Sequence, residues 1–235
     1  MKNLIFPIVV MLTFLGLETV QTQTVVVKFL DGQTVEYDVT QIESISFKQA
    51  DYVDLGLPSG TLWATCNVGA SSPEDYGDFF AWGETKPKEE YIRDNYFDFY
   101  DGDYQNYTLT GFYEPLPEND AATANWGRNR EMPSKEQLEE LFNSDFTITE
   151  KTTINDVNGL QITSRSNGES IFLPAAGRFL LSKVFNGTLN CYYWSRSLSD
   201  SYFDCGCYLY LQSGTFFTHG SDRCQGQSVR PVRKQ

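Results

Sequence analysis

Four thiol or imidazole groups fall between positions 205 and 224: Cys205, Cys207, His219 and Cys224. Nitrogen and sulfur donors of this kind can hold zinc tetrahedrally, but their spacing follows no usual C-x(2–4)-C pattern. His219 is the only histidine in the chain, so any acid–base or nucleophilic scheme needing imidazole rests on that one residue. It reads more simply as a surface contact. Asp98, Asp101 and Asp103 offer hard carboxylate oxygens suited to calcium, yet their spacing is not that of an EF-hand loop. They read more simply as a solvated acidic surface. These residues predict no catalytic set, no resident metal and no cofactor.

The whole composition must carry such a site. A formal charge of −13 and pI near 4.5, without clustered Lys or Arg, argue against a nucleic-acid partner. Abundant Tyr, Phe, Gly, Ser and Thr suit a β-dominated domain in which aromatic side chains do much of the packing. At 235 residues the chain can hold one substantial core and a smaller unit.

Residues 4–17 form an apolar run after Met1 and Lys2, too short to span a membrane comfortably. It reads as a signal peptide over residues 1–23, which implies an extracytoplasmic mature chain, secreted or at the cell surface, with no transmembrane domain. An uncleaved anchor is the competing reading. Five cysteines in an exported chain leave one over after any pairing. Cys205 and Cys207, at i and i+2, lie at the edge of disulfide reach on a strand.

Val25, Val27 and Phe29 alternate before Asp31-Gly32, and Val35, Tyr37 and Val39 after it, the pattern of a β-hairpin. Ile42, Ile45 and Phe47 could add a third strand, giving a small β module over residues 24–49. From residue 52 the chain turns rich in Gly and small residues, with Leu55, Leu57, Leu62, Trp63 and Val68 as core candidates. Residues 89–120 hold nine acidic side chains against Arg93 alone and read as a long ordered loop. Ser134 and Gln137 form a capping box before Leu138, Leu141 and Phe142, predicting a helix; a short one is also possible around residues 121–124. Asn158-Gly159, Asn167-Gly168 and Ser213-Gly214 mark turns between later strands.

In the tail, Leu209 and Leu211 facing a core would turn Tyr208 and Tyr210 outward, with Cys205, Cys207 and residues 200–204 near them. Exposed tyrosines give large rigid contact area at low entropic cost. The predicted ligand-binding surface is therefore Arg196, Tyr202, Phe203, Asp204, Cys205, Cys207, Tyr208, Tyr210, Phe217, His219, Ser221, Asp222 and Arg223. Its ligand is an unknown macromolecule, first of all a protein. The competing reading packs the same aromatics against the acidic loop.

Several words in order resemble the Fibrobacter succinogenes major paralogous domain family, widespread in Bacteroidetes-type surface proteins and related to the formylglycine-generating-enzyme-like branch of the C-type lectin fold. They are Asp54-Leu55-Gly56-Leu57, Trp63-Ala64-Thr65-Cys66-Asn67-Val68-Gly69, Ala81-Trp82-Gly83-Glu84-Thr85, then NDAATANWG (119–127), MPSKEQLEEL (132–141), IFLPAAGR (171–178), YYWSRS (192–197) and GQSVRPV (226–232). The sequence departs at residues 128–131, where Asn129-Arg130-Glu131 replaces a Trp-Arg pair before Met132-Pro133. The resemblance implies an α+β domain over residues 52–233: C-type lectin-like, with an antiparallel C-terminal sheet, one or two helices and long loops. It implies no reaction, and the copper-site surroundings of formylglycine-generating relatives do not map onto Cys205 and Cys207.

Some relatives of this fold are variable proteins of diversity-generating retroelements, altered at adenines in C-terminal codons. Such change in pyrimidine-ending codons never yields Lys, Glu, Gln, Met or Trp. Residues 196–224 contain Gln212 as the single member of that set, where average usage suggests about six. The reading that follows is an exported, non-enzymatic binding protein with a diversified tail. An envelope structural or adhesin-like subunit without a variable site is the alternative, and a metalloenzyme the more distant one.

Overall fold

The computed structural model describes residues 24–28, 34–39, 52–104, 114–199, 202, 204–212 and 215–234. The chain divides into two compact units, Met1–Lys48 and Gln49–Gln235. In the first, β1 (Thr24–Lys28) pairs antiparallel with β2 (Thr34–Asp38), and Val25 lies opposite Tyr37 and Val27 opposite Val35. The apolar alternation thus falls on one face. Asp31-Gly32, the run at Ile42, Ile45 and Phe47, and the N-terminal apolar segment lie outside the described residues.

The second unit opens with β3 (Tyr52–Asp54) paired to β4 (Thr61–Ala64). A long irregular stretch follows, broken by a 3-10 turn at Arg93–Asn95 and a small hairpin of β5 (Phe99–Tyr100) and β6 (Asp103–Tyr104). Helix α1 (Ala121–Trp126) is capped by the Asp120 carboxylate, which accepts from the amides of Thr123 at 2.8 Å and Met132 at 2.9 Å. Burial still pushes the Asp120 carboxyl above its ordinary range. Helix α2 (Lys135–Leu141) carries the expected capping box, and Gln137 also donates to Thr61 at 2.8 Å. The box therefore docks the helix as well as starting it.

A meander of β7 (Thr147–Ile154), β8 (Val157–Ser164) and β9 (Ser170–Pro174) comes next. The turn expected at Asn158-Gly159 is instead Asn155-Asp156, both at positive φ (47° and 64°), and Asn158-Gly159 lies inside β8. The glycine serves a close approach: a Cβ there would sit 2.4 Å from the Phe172 ring. Asn167-Gly168 does turn, with Gly168 at φ 79°. Hairpin β10 (Arg178–Leu180) and β11 (Lys183–Phe185) precedes the C-terminal sheet, β12 (Cys191–Leu198), β13 (Cys205–Gln212) and β14 (Thr215–Asp222), in that order. Ser213 and Gly214 are outside the described residues, between paired Gln212 and Thr215. Finally β15 (Val232–Lys234) adds to β4, so the unit's first and last strands share a sheet. All pairings between these strands are antiparallel. Among the described residues no helix is long and apolar enough to cross a membrane.

One core cluster gathers Leu55, Leu57 and Trp63 with Leu138 and Leu141 of α2, Ile162 of β8, Tyr193 of β12 and Leu209 of β13. A second holds Val68, Phe80, Trp82, Met132, Trp194 and Val229. Of the core candidates from the sequence, Leu62 alone is only partly buried. The stretch before Met132 is also anchored: Arg130 lies over the Tyr52 ring at 5.9 Å, and Glu131 bridges to Val232.

The segment leading to β15 runs through the interior, and Gln227, Ser228, Val229 and Arg230 are fully buried. Arg230 donates to the Asn67 side chain at 2.9 Å, the Ala64 carbonyl at 3.0 Å and the Phe172 carbonyl at 2.8 Å. Burial lowers its pKa, but a guanidinium keeps its proton in proteins. Lysine has one ammonium and cannot serve three acceptors so placed. We expect Arg230→Lys to cost about 2 to 5 kcal/mol, read as a fall in melting temperature of roughly 5 to 15 °C. An unchanged melting temperature would show the three bonds to be dispensable.

Candidate functional site

Register sorts the C-terminal sheet into two faces. Cys191, Tyr193, Leu209, Phe216 and Thr218 share one, which packs on α2 and the first core cluster; Phe142 and Phe216 lie 5.3 Å apart by ring centroid. Trp194, Tyr208 and His219 align across the other, as do Tyr192, Tyr210 and, by backbone register, Phe217. This second face is not uniformly open. Trp82 covers it at Gly206, where a Cβ would fall 2.5 Å from the indole, and the Trp194 indole donates to the Phe80 carbonyl at 2.7 Å. The sheet is therefore sandwiched at the Trp194 end and open at the Tyr210 end.

The open end carries an aromatic ladder. Tyr192 stacks on Tyr210 with centroids 4.8 Å apart and on Tyr208 at 6.0 Å, and Trp194 meets Tyr208 edge-on at 6.1 Å. Tyr208 and Tyr210 are half-buried, His219 and Asp204 exposed, and Tyr202 is 64 % exposed. The tail tyrosines pack on one another and on Trp194, while the acidic loop meets the tail through charge. Arg196 pairs with Glu114 at 3.1 Å and Glu131 at 2.7 Å. Asp222 pairs with Arg93 at 2.6 Å.

Several predicted contact residues are interior. Cys207, Ser221 and Arg223 are buried and offer no surface to a ligand. Strand alternation explains the first, since Cys205 and Cys207 share the face of Leu209, opposite Tyr208. Ser221 continues the Tyr208 face but lies at its covered end, opposite Gly206. The Arg223 guanidinium donates to Asp98 at 2.9 Å, and both side chains are shut off from solvent. Asp98 is thus an internal partner of the tail and not part of a solvated acidic surface. Phe203 lies outside the described residues.

The thiol chemistry is muted. Burial, with the Asp204 carboxylate beside it, pushes Cys205 up to about 12, leaving about one thiolate in 10⁵ at pH 7. Burial raises Cys191 to about 12 as well. His219 lies on the other face of the sheet from Cys205 and Cys207, and among the described residues no three His, Cys, Asp or Glu groups converge as metal ligands.

Three contributors were not singled out from the sequence. Arg178 holds its guanidinium 5.4 Å from the Tyr192 centroid and donates to Gln225 at 3.1 Å. Asn186 donates to the Tyr192 hydroxyl at 2.9 Å. Alternation from Trp194 places Tyr192 on the Tyr210 face, but Arg178 and Asn186 reach it from the preceding hairpin, a contact with no periodic signal. Comparison with family models, curated proteins and solved structures found no match to this chain.

Asp98→Asn should leave the Arg223 charge buried without its anion and cost about 3 to 5 kcal/mol in urea unfolding. Pairing Asp98→Leu with Arg223→Met should recover much of that loss. A single variant as stable as the parent would show the pair to be idle.

Proposed function

We propose that this is an exported ligand-binding protein that presents the open end of its C-terminal sheet to a protein ligand outside the cytoplasm. Its second unit is read as a C-type lectin-like domain of the Fibrobacter succinogenes major paralogous type. In support of the fold, words carrying that resemblance contribute interior residues: Leu55, Trp63, Trp82, Met132, Ala175, Trp194 and Val229 are all buried. A shared packing plan would require those positions above others. Export rests on the apolar segment at residues 4–17.

The observation that carries the binding reading is the Tyr192–Tyr210–Tyr208 ladder, backed by two cores and flanked by exposed His219 opposite Tyr208, with exposed Tyr202 and Asp204 where the chain enters β13. Rings already held by packing lose little freedom when a partner docks. The same division of faces refines the diversification reading. Variation among near-identical copies belongs at Tyr202, Asp204, Tyr208, Tyr210 and His219, while Cys207, Leu209, Ser221, Arg223 and Cys224 must stay constant to keep the interior.

Two measurements test this. Sequencing the tail codons and flanking DNA in independent isolates should find adenine-directed changes at those five positions, beside a reverse transcriptase and a near-repeat of the tail. Changes spread evenly over buried and exposed codons, or none at all, would remove the diversification reading. A photocrosslinking residue at Tyr202 or His219 should capture one discrete protein on intact cells, and the same group at exposed Glu150 of β7 should not. Equal yields from all three positions would overturn binding through this face.

A further inference from the structure

We propose that Arg178, with the hydroxyl of Tyr208, forms a subsite for one carboxylate of the protein ligand. The assignment rests on the ligand-binding reading of the C-terminal sheet and names the group that the sheet takes first. In a chain of charge −13, other cations near this surface have found carboxylates: Arg93 with Asp222, Arg196 with Glu114 and Glu131, Arg223 with Asp98. Arg178 has no such partner among the described residues. One terminal nitrogen donates to the neutral Gln225 amide at 3.1 Å, and that amide oxygen also accepts from Ser221. The second terminal nitrogen makes no hydrogen bond among the described residues and is not sealed from solvent, whereas Nε is buried without a partner.

The group is also held in place. Its guanidinium lies 5.4 Å from the centroid of Tyr192, which is fixed by Asn186 and by stacking on Tyr208 and Tyr210. Tyr208 stacks on the same Tyr192 ring at 6.0 Å, so cation and phenol share one neighbour, and the Arg178 charge opposes the upward push of burial on the Tyr208 phenol. The half-buried Tyr208 makes no side-chain hydrogen bond among the described residues, which leaves its hydroxyl as a donor, whereas that of Tyr210 is engaged with Tyr192.

One guanidinium and one neutral phenol balance a single negative charge. A doubly charged phosphate would stay undercompensated on so acidic a protein, while a carboxylate can take the guanidinium and a phenol together. The ring geometry favours a protein side chain over a sugar acid. Tyr192 is only 4 % exposed, and the rings occupy one another's faces, leaving hydroxyl edges to a ligand rather than a stacking platform.

The test titrates protein labelled in its tyrosine rings with N-acetylglutamate amide, glucuronate, inorganic phosphate and chloride at equal ionic strength, followed by NMR. The Tyr208 and Tyr210 signals should shift saturably with the glutamate derivative, at least several-fold more tightly than with glucuronate or phosphate. Arg178→Gln should abolish that response while melting within a few degrees of the parent. Should that variant misfold, Tyr208→Phe, which keeps the ring and removes one donor, should weaken the response several-fold. Shifts no larger than with chloride, a variant that binds as the parent does, or tighter glucuronate or phosphate binding would each overturn the proposal. Failure of crosslinking at Tyr202 and His219 with this titration intact would sink the protein-ligand reading instead and leave the anion site standing.

Discussion

A buried cation that pairs with no carboxylate among the described residues governs this domain. Arg230 is fully buried, and its three hydrogen bonds all end on neutral oxygens, from Asn67, Ala64 and Phe172. Such a group is tolerable only while every acceptor is in place, because desolvating a charge is expensive and an unfilled donor adds to it. Those acceptors come from the end of β4, the loop after it and β9. The interior segment that carries Arg230 thereby draws three distant stretches together and puts β15 against β4. Tyr193 joins the same knot, donating to the Pro174 carbonyl and accepting from Asn67. The C-terminal sheet is fixed to the body from its first strand.

A sheet held this way cannot be all surface. Its first face closes one core, and the Trp194 end of its second packs against Trp82 and Phe80 in the other. Only the Tyr210 end stays open, where packing demands end and recognition can begin. The tail of the chain therefore contains two populations in alternation. Leu209 and Cys207 answer to the interior, while Tyr208, Tyr210 and His219 answer to whatever arrives from outside. Asp98 and Arg223 add a further constraint, since their closed ion pair ties the acidic loop to the turn after β14. The loop's charge is thus partly internal cement.

Local signals were legible in the residues and nonlocal ones were not. The α2 capping box and the Leu138–Leu141–Phe142 face follow from spacing and are found so, whereas Tyr208 and Tyr210 lie opposite Leu209 as alternation requires but half-buried among other rings. Cys205 and Cys207 are close to Tyr208 in sequence, but the two-residue period of the strand turns them to its other face. Asn158-Gly159 looks like a turn in isolation, and only the Phe172 ring across the meander explains its glycine. Arg223 and Asp98 are separated by 125 positions, and nothing in either neighbourhood announces the pair. Arg178 was likewise read as the end of a motif, since its position over Tyr192 depends on the β10–β11 hairpin folding back.

That hairpin bears on why the open end can recognise anything. Four stacked or edge-on aromatic contacts link Tyr192, Trp194, Tyr208 and Tyr210, so the rings brace one another without help from a ligand. Bracing spends the ring faces and leaves the hydroxyl edges, which are directional donors and poor adhesives by themselves. Arg178 supplies the long-range attraction that the phenols lack, on a protein whose net charge of −13 otherwise disfavours anions. A rigid edge of donors around one cation discriminates by charge placement before it discriminates by shape. Exchanging exposed tail positions would then alter partner choice while Arg178, which lies outside the tail, stayed constant. On this view the hairpin and the sheet divide the labour, one holding the invariant contact and the other the adjustable ones.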